Sequence, residues 1–459
     1  MGDPLVPEVT KVLAQWAAES PVTSSGLAHD HVKRALLDLL GVTLRGSQEL
    51  PGRLSLAYAR TQSAHGASAL LGGGIRLQPT WAAFVNGTAG HALDFDDIGL
   101  GAGHVTVAIA PATLAVAEFA GCSGFDYLDA MVVGYEVASR LTRMYGDTRL
   151  GPYAAGYHKP SLYSVFGATA AVGRLLRLGT AKMCHALGIA ASQAGGLRVN
   201  FGTMTKPMHA GVSNRTGVEA ALLADMGFTA SEHALEGRFG WYDVLCRGEG
   251  DLEAVLLDLG ETLAIEEGLV YKLYPCCGAN HYAIDALRGL RDEHGLKADD
   301  IECADVYIEA RNLEEVLVYS WPHSGLEGKF CLAFNCAAAL VDGEVGIDTF
   351  TDANIDRLSE FSKRIRVHAV NDLPQNGARV VLRLADGRLL EREQRILRGS
   401  LEDPLAWPDL EAKFAHNVDP SIGVEGRVGV VEAVRQLDRL PGLGQITEPL
   451  LLDPGVQVP

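Results

Sequence analysis

Apolar side chains recur at helical spacing through most of the first 270 residues of the chain. Apolar residues three and four positions apart form one face of an amphipathic helix. Alternation of apolar and polar residues, which indicates strands, is scarce in the same region. The pattern therefore predicts an all-helical region, with helices over residues 9–18, 29–44, 81–95, 107–119, 124–145, 165–176, 180–191 and 216–226.

After residue 300 the pattern changes toward alternation. Strands are predicted over 301–308, 365–370, 378–384 and 389–395, and Asp386-Gly387 between the last two is a strong hairpin signal. Further helices are predicted over 329–340, 354–362, 407–417 and 428–435. The fold class is therefore mainly α with an inserted α+β domain. We predict a large all-helical domain from 1–269 and 398–459, and a smaller α+β domain from 270–397. A cleft between two such domains is a usual place for a small-molecule site.

Length, charge and cysteine content narrow the possible functions. A chain of 459 residues favours two domains, and a net charge of −18 argues against nucleic acid as a partner. The most apolar run, 105–120, is short and contains Pro111 and Glu118, so we interpret it as a buried helix and expect no membrane partner. Residues 1–20 lack the pattern of a secretory signal, and the eight cysteines lack zinc or iron–sulfur spacing. Buried, reduced thiols in a cytoplasmic protein are predicted.

Ionisable side chains gather beside glycines in several otherwise apolar segments. Histidine titrates near neutrality and suits a general base, whereas lysine and hydrogen-bond donors can hold a carboxylate and stabilise an enediolate-like charge. Lys206, His209 and Lys272 are of these types, and Asp94 would orient a histidine or act as a base itself. The segments are 91–97 with His104, 156–160, 203–211, 271–281 and 328–330.

Other arrangements are weaker or missing. Asp96 and Asp97, adjacent acids at a predicted helix end, are interpreted as solvated or capping residues. The sequence has no His-x-x-x-His pair, so no metal is predicted. It also lacks the glycine-rich nucleotide loops and the Gly-x-Ser-x-Gly elbow, which argues against a nucleotide cofactor and a serine hydrolase. A helical binding or scaffold protein without turnover remains an alternative.

The polar segments together resemble the MmgE/PrpD family. The matching stretches occur in family order over nearly the whole chain: 86–97, 156–160, 205–211, 272–275 with His281, and 329–330 with 340–343. This family includes 2-methylcitrate dehydratase, cis-aconitate decarboxylase and iminodisuccinate epimerase. The resemblance implies a helical domain with an α+β lid, a homodimer, a small polycarboxylate substrate, and neither a metal nor an organic cofactor.

The resemblance also implies roles for individual residues. The predicted catalytic residues are Asp94, His104, His158, Lys206 and His281. The predicted substrate-binding residues are Tyr153, Tyr157, His209, Lys272 and Lys329.

Two departures from the family pattern lie beside the predicted base. Ile98 stands where decarboxylase-like members carry threonine, and Val105-Thr106 stands where many members have Pro-Ser. Loss of a proton next to a carboxylate is the first step of both epimerisation and dehydration, and decarboxylation reaches a similar carbanion by losing carbon dioxide. Because both departures fall in the segment that distinguishes the lyases, we predict epimerisation like that of iminodisuccinate epimerase. The alternative is a lyase that dehydrates 2-methylcitrate or decarboxylates cis-aconitate.

Overall fold

Most of the chain forms helices, in agreement with its apolar spacing. The computed structural model describes residues 7–21, 25–62, 65–147, 149–374 and 377–452. The helices of the first 270 residues are α1 Val9–Glu19, α2 Gly26–Gly46, α3 Leu50–Gln62, α4 Pro79–His91, α5 Ala110–Ala120, α6 Gly124–Thr142, α7 Lys159–Leu162, α8 Ser164–Leu175, α9 Thr180–Ala191, α10 Thr205–Asp225 and α11 Trp241–Leu245. The later helices are α12 His281–His294, α13 Ala310–Glu315, α14 Gly325–Gly328, α15 Leu332–Val341, α16 Asp352–Ser362, α17 Trp407–Arg435 and α18 Gly444–Thr447.

The strands form two sheets. A small antiparallel pair, not predicted from the sequence, joins β1 His65–Ala69 to β2 Arg76–Leu77. The larger sheet contains β3 Ile301–Glu309, β4 Ile365–Val370, β5 Ala378–Leu384 and β6 Leu389–Gln394 in the order β4-β3-β5-β6. β3 and β4 are parallel, whereas β3–β5 and β5–β6 are antiparallel. The predicted hairpin is confirmed, with Gly387 at a φ of 87° in its turn.

Two separate hydrophobic cores lie in the described part of the chain. The larger one runs from Val9 to Tyr271 and resumes from Leu405 to Leu450, and the smaller one runs from Tyr274 to Leu384. A mainly helical protein with a smaller α+β unit is therefore confirmed. The domain boundaries remain a proposal, which the change of core near residue 272 supports. The outermost residues of the proposed helical domain, 1–6 and 453–459, lie outside the described residues.

Two helices, α10 and α17, extend well beyond their predicted ranges. α10 begins at Thr205 rather than at residue 216, because its first turns are buried on almost every face and show no amphipathic stripe. α17 joins the two predicted helices 407–417 and 428–435 through a kink at Gly423, whose φ is 67°. None of the helices in the described ranges is long and apolar enough to cross a membrane.

Glycine allows α4 and α10 to approach each other closely, which positions the residues at their ends. A Cβ atom on Gly211 of α10 would lie 2.2 Å from Thr88 Oγ1 and 2.5 Å from the carbonyl oxygen of Phe84. Contacts below 3 Å force one of the two helices to move. α4 leads into the segment that carries Asp94, and Lys206 is the second residue of α10.

Gly211→Ala is expected to lower the free energy of unfolding by about 1–3 kcal/mol, because the added methyl group overpacks this crossing. Gly429→Ala is the matched control, since a Cβ there meets nothing within 4 Å in the exposed second half of α17. The control should raise the stability by up to about 1 kcal/mol through helix propensity. Urea unfolding followed by circular dichroism measures both, and equal effects would contradict the packing argument.

Candidate active site

The segment after α4 turns inward and is held by three lysines. The backbone carbonyls of residues 93–95 each accept a hydrogen bond from a different buried ammonium group: Lys329 Nζ at 2.9 Å, Lys272 Nζ at 3.0 Å and Lys413 Nζ at 2.8 Å, in that order. Asp94, the middle residue, has a φ of 53°, in the left-handed region that non-glycine residues rarely adopt. The lysines therefore fix a strained segment, which we call the inward turn (residues 92–97).

Two of the site's lysines neutralise the carboxylate of Asp94. Its Oδ1 atom accepts hydrogen bonds from Lys206 Nζ at 2.9 Å and from Lys272 Nζ at 2.7 Å. Burial alone raises the pKa of Asp94, but the two ammonium groups outweigh burial and hold the pKa well below its usual value. Asp94 is therefore ionised, and its position between two ammonium groups suits a counter-ion rather than a base.

Asp96 bridges two histidines. Its Oδ1 lies 2.8 Å from His91 Nδ1, and its Oδ2 lies 2.9 Å from His104 Nδ1. Burial raises the pKa of Asp96, but the two imidazoles outweigh burial and hold the pKa well below its usual value. His104 Nε2, on the other side of the ring, lies 3.4 Å from Asp94 Oδ1.

The interpretation of Asp96 and Asp97 as solvated or capping residues is wrong. Both side chains are buried, because α4 ends at His91 and the inward turn carries the next residues into the core. Burial raises the pKa of Asp97 well above its usual value, which favours the protonated acid. The backbone N–H of Thr106 donates to Asp97 Oδ1 at 3.4 Å.

The other histidines come from three separate segments. His158 precedes α7, and its Nδ1 lies 3.0 Å from Nδ1 of His209 in α10. His281 is the first residue of α12, and its Nε2 donates to the carbonyl oxygen of Cys276 at 3.3 Å. Burial lowers the pKa of His104 and of His281 to about 3, that of His209 to about 4, and that of His158 well below its usual value. These imidazoles are therefore neutral at neutral pH.

A cavity of about 390 Å³ brings the five predicted catalytic residues together. Its wall contains Asp94, His104, His158, Lys206 and His281, together with Lys272 and Tyr153 from the predicted substrate-binding set. Tyr157, His209 and Lys329 lie outside this wall. Among them, Lys329 is buried behind the inward turn, and His209 contacts the site only through His158.

The rest of the wall was not predicted. One part is apolar and includes Ile98, Val270, Phe330, Leu397 and Leu401. A second part carries charged side chains: Arg149, Lys159, Glu315, Arg395 and Glu402. Lys159 and Phe330 lie in segments that the sequence singled out, and Ile98 is one of the two departures from the family pattern. The others have no motif around them that indicates a site.

The two departures from the family pattern differ in position. Ile98 lines the cavity, but Val105 and Thr106 are buried beside it, where the Thr106 hydroxyl lies 2.7 Å from the Tyr135 hydroxyl. Only the change at Ile98 therefore faces a substrate.

Several charged side chains near the inward turn are paired with one another. Asp94 binds the ammonium groups of Lys206 and Lys272, whereas Asp96 binds two imidazoles. A bound polycarboxylate would add negative charge, and nearby negative charge raises the pKa of an imidazole. Binding of such a ligand is therefore expected to take up protons at the histidines.

The same residues offer donor atoms suited to a metal ion. Ligand atoms of His91, Asp94, Asp96 and His104 all lie within 4.8 Å of one another. However, Asp94 already binds two ammonium groups and Asp96 binds two imidazoles, so a divalent cation would have to displace them. The charge pattern favours an organic anion over a cation, and an active site without a metal stays our prediction.

The buried neutral histidines predict that stability falls in mild acid. Their folded pKa values lie below the unfolded value of about 6.5, so their contribution to stability is present above about pH 6.5 and is lost as the pH falls toward the folded values. His281→Gln should flatten this dependence by up to about 1.4 kcal/mol per pH unit. Urea unfolding across this pH range measures how the free energy of unfolding depends on pH, with His323→Gln at an exposed position as the control. An unchanged slope of that free energy against pH in His281→Gln would contradict the prediction.

Comparison with known proteins agrees with this architecture. The MmgE/PrpD N-terminal domain matches residues 11–252, and the MmgE/PrpD C-terminal domain matches residues 274–438. Cis-aconitate decarboxylase of Mus musculus is 30% identical over 444 residues, which cover 93% of this chain and 89% of that protein. The protein of the same name from Homo sapiens is 28% identical over 430 residues, covering 90% and 88%, and one from Aspergillus terreus is 26% identical over 477 residues, covering 96% and 95%. Two matching domains along most of its length show that this chain belongs to the MmgE/PrpD family.

Proposed function

We propose that this protein is a carboxy-lyase that removes carbon dioxide from a small tricarboxylic acid, with cis-aconitate as the first candidate. The observation that carries the proposal is one cavity that combines lysines and histidines with an apolar wall. The relatives named cis-aconitate decarboxylases support the same reaction. They favour the lyase alternative over the predicted epimerisation, for which the two departures gave the only reason.

The structure of cis-aconitate determines which carboxyl group can leave. Two of its carboxyl groups are attached to the carbon–carbon double bond, and one is attached to the saturated carbon beside it. When the bond to that third carboxyl breaks, its electron pair becomes conjugated with the double bond and the remaining carboxylates. A proton then adds to the far carbon of the allylic system. The products are carbon dioxide and a dicarboxylic acid with a terminal methylene group.

The cavity contains groups suited to hold the two carboxylates that stay. Lys206 and His281 lie in the first turns of α10 and α12, where the helix dipoles also favour an anion. Lys206 Nζ lies 5.2 Å from the ring centroid of Phe330, so its ammonium group is at the border of the polar and apolar parts of the wall. Charge that develops on the carboxylates during the reaction would be stabilised there.

The apolar wall suits the carboxylate that leaves. Ile98, Leu397 and Leu401 offer it no hydrogen-bond donor from their side chains. An ionised carboxylate loses its hydration beside such side chains, whereas neutral carbon dioxide does not, so this placement favours the bond-breaking step. A histidine protonated when the anion binds then supplies the proton to carbon. His104 is the proposed donor, because its Nε2 side is the one beside Asp94 at the cavity.

Proton NMR of cis-aconitate with the protein in deuterated water tests the reaction. The expected result is a new terminal methylene signal, release of carbon dioxide and deuterium in the saturated methylene group of the product, where the proton adds. Exchange of the α-proton of iminodisuccinate, with no other change in the molecule, would instead restore the epimerase. Collapse of the methyl doublet of 2-methylcitrate to a singlet, without carbon dioxide, would indicate a dehydratase. Binding of these acids without any turnover would favour the non-catalytic alternative.

Lys206→Ala is expected to lower kcat/KM by about 10²-fold or more while the fold is retained, because it removes an ammonium group that stabilises developing charge. Steady-state kinetics and a circular dichroism melt measure the two effects. Lys182→Ala is the matched control, since Lys182 pairs with Asp225 on the surface at 2.8 Å. Full activity of Lys206→Ala would contradict the site assignment.

We also propose a reducing, cytoplasmic environment. All eight cysteines are free thiols, which suits a reducing compartment.

We further propose a homodimer. Exposed apolar side chains cluster around the start of α10, among them Leu197, Val199, Met204 and Met208, and Val199 is 84% exposed. Such patches favour a protein contact. Sedimentation equilibrium tests the dimer: Val199→Glu with Met208→Glu should shift the protein toward a monomer, and an unchanged mass would place the contact elsewhere.

A further inference from the structure

We propose that Asp96, held in place by His91, is a positioning residue that keeps the proton of neutral His104 on Nδ1 and leaves Nε2 free to exchange a proton with the substrate. The kinetic part of this inference rests on the proposed function, whereas the position of the proton is independent of it.

The two sides of the His104 ring face different carboxylates. Nδ1 lies 2.9 Å from Asp96 Oδ2, within hydrogen-bond distance, whereas Nε2 lies 3.4 Å from Asp94 Oδ1. Asp94 Oδ1 already accepts two hydrogen bonds from ammonium groups, at 2.9 and 2.7 Å. The hydrogen-bond partners of Asp96 are two imidazoles, with no ammonium group among them in the described part of the chain. Asp96 is therefore the stronger hydrogen-bond acceptor for the ring proton of His104.

His91 limits the movement of the Asp96 carboxylate. His91 Nδ1 binds Asp96 Oδ1 at 2.8 Å, and the His91 ring packs edge-on against His104 with a centroid separation of 4.3 Å. An ionised carboxylate can only accept hydrogen bonds, so both Nδ1 atoms must carry protons. His91 Nε2 is buried and has no partner among the described residues, which leaves it as a bare acceptor. One carboxylate thus orients two rings.

The arrangement has a chemical consequence for His104. When an anionic ligand arrives, the incoming proton must add to Nε2, because Nδ1 is already protonated. The imidazolium that forms keeps its bond to Asp96 and presents the new proton on its Nε2 side, beside the cavity wall. Donation to carbon then returns His104 to its starting tautomer.

Asp96→Asn tests this assignment, because an amide group has one acceptor oxygen and one donor nitrogen. One histidine must then turn its bare nitrogen toward the Asn NH₂ group. We expect this to be His104, since its Nε2–H would gain Asp94 as an acceptor, whereas a proton on His91 Nε2 would be buried without a partner among the described residues. The expected change is a fall in kcat on the order of 10²–10⁴-fold with little change in KM.

Asp97→Asn is the matched control. Asp97 is the next residue and is equally buried, and burial raises its pKa and so favours the neutral acid, which an amide matches closely in size and charge. Its kcat should stay within a few-fold of the parent protein. Equal losses of kcat in the two variants would show that any such change at a buried position of this turn lowers kcat, and would overturn the proposal.

Nitrogen-15 NMR of histidine-labelled protein gives the readout that needs no turnover, with His104→Gln identifying the His104 signals. The proposal predicts a proton on Nδ1 of His104 in the parent protein and on Nε2 in Asp96→Asn. A bare Nδ1 in the parent protein would overturn it, even if Asp96→Asn fails to fold. His91→Asn provides a second variant, with an expected fall in kcat of about 10–100-fold. If no substrate turns over, the proposed function fails but the spectra still decide the tautomer.

Discussion

The hydrogen bonds from three lysines to three successive carbonyls of the inward turn are the constraint on which the site depends. They come from Lys272 at the start of the α+β unit, Lys329 within it and Lys413 in α17, so they join distant parts of the chain at one segment. A buried ammonium group requires compensation, and carbonyl oxygens supply part of it. The turn in return gains the partners that allow Asp94 to keep a positive φ.

Lys272 connects this backbone constraint to the chemistry. The same ammonium group binds the carbonyl and the carboxylate of Asp94, so the conformation of the turn and the charge of the site are fixed together. Removing this lysine would leave both a strained backbone and a buried carboxylate with one partner fewer. Lys272 therefore stabilises the backbone of the turn and the charge of the site at the same time. Lys206 differs, because its hydrogen bond to Asp94 goes to the carboxylate and not to the backbone carbonyl.

The sequence predicts elements best where one face is buried and the other is solvated. α9, β4 and β5 begin and end where their patterns indicate, because alternation or helical spacing is regular there. The start of α10 was missed because its buried turns show no clear stripe, whereas α12 was missed although Ile284, Leu287 and Leu290 lie on one buried face at helical spacing. At the site, the residue types of the motifs identify groups that share the cavity. Asp96 was misjudged because the inward turn buries it between two histidines that are close in the chain. Lys413 went unnoticed because its partner, the carbonyl of Phe95, is far away in the chain.

The neutral histidines of the site affect how ligands are selected. Under the proposed function, a bound polycarboxylate raises the pKa of these imidazoles, so the anion gains affinity by taking up protons as it binds. Binding then releases or absorbs heat according to the buffer that supplies those protons, and it tightens as the surroundings become more acidic. An anion with three carboxylates raises the histidine pKa values more than one with a single carboxylate does. The neutral histidines would thus favour acids with several carboxylates over acids with one.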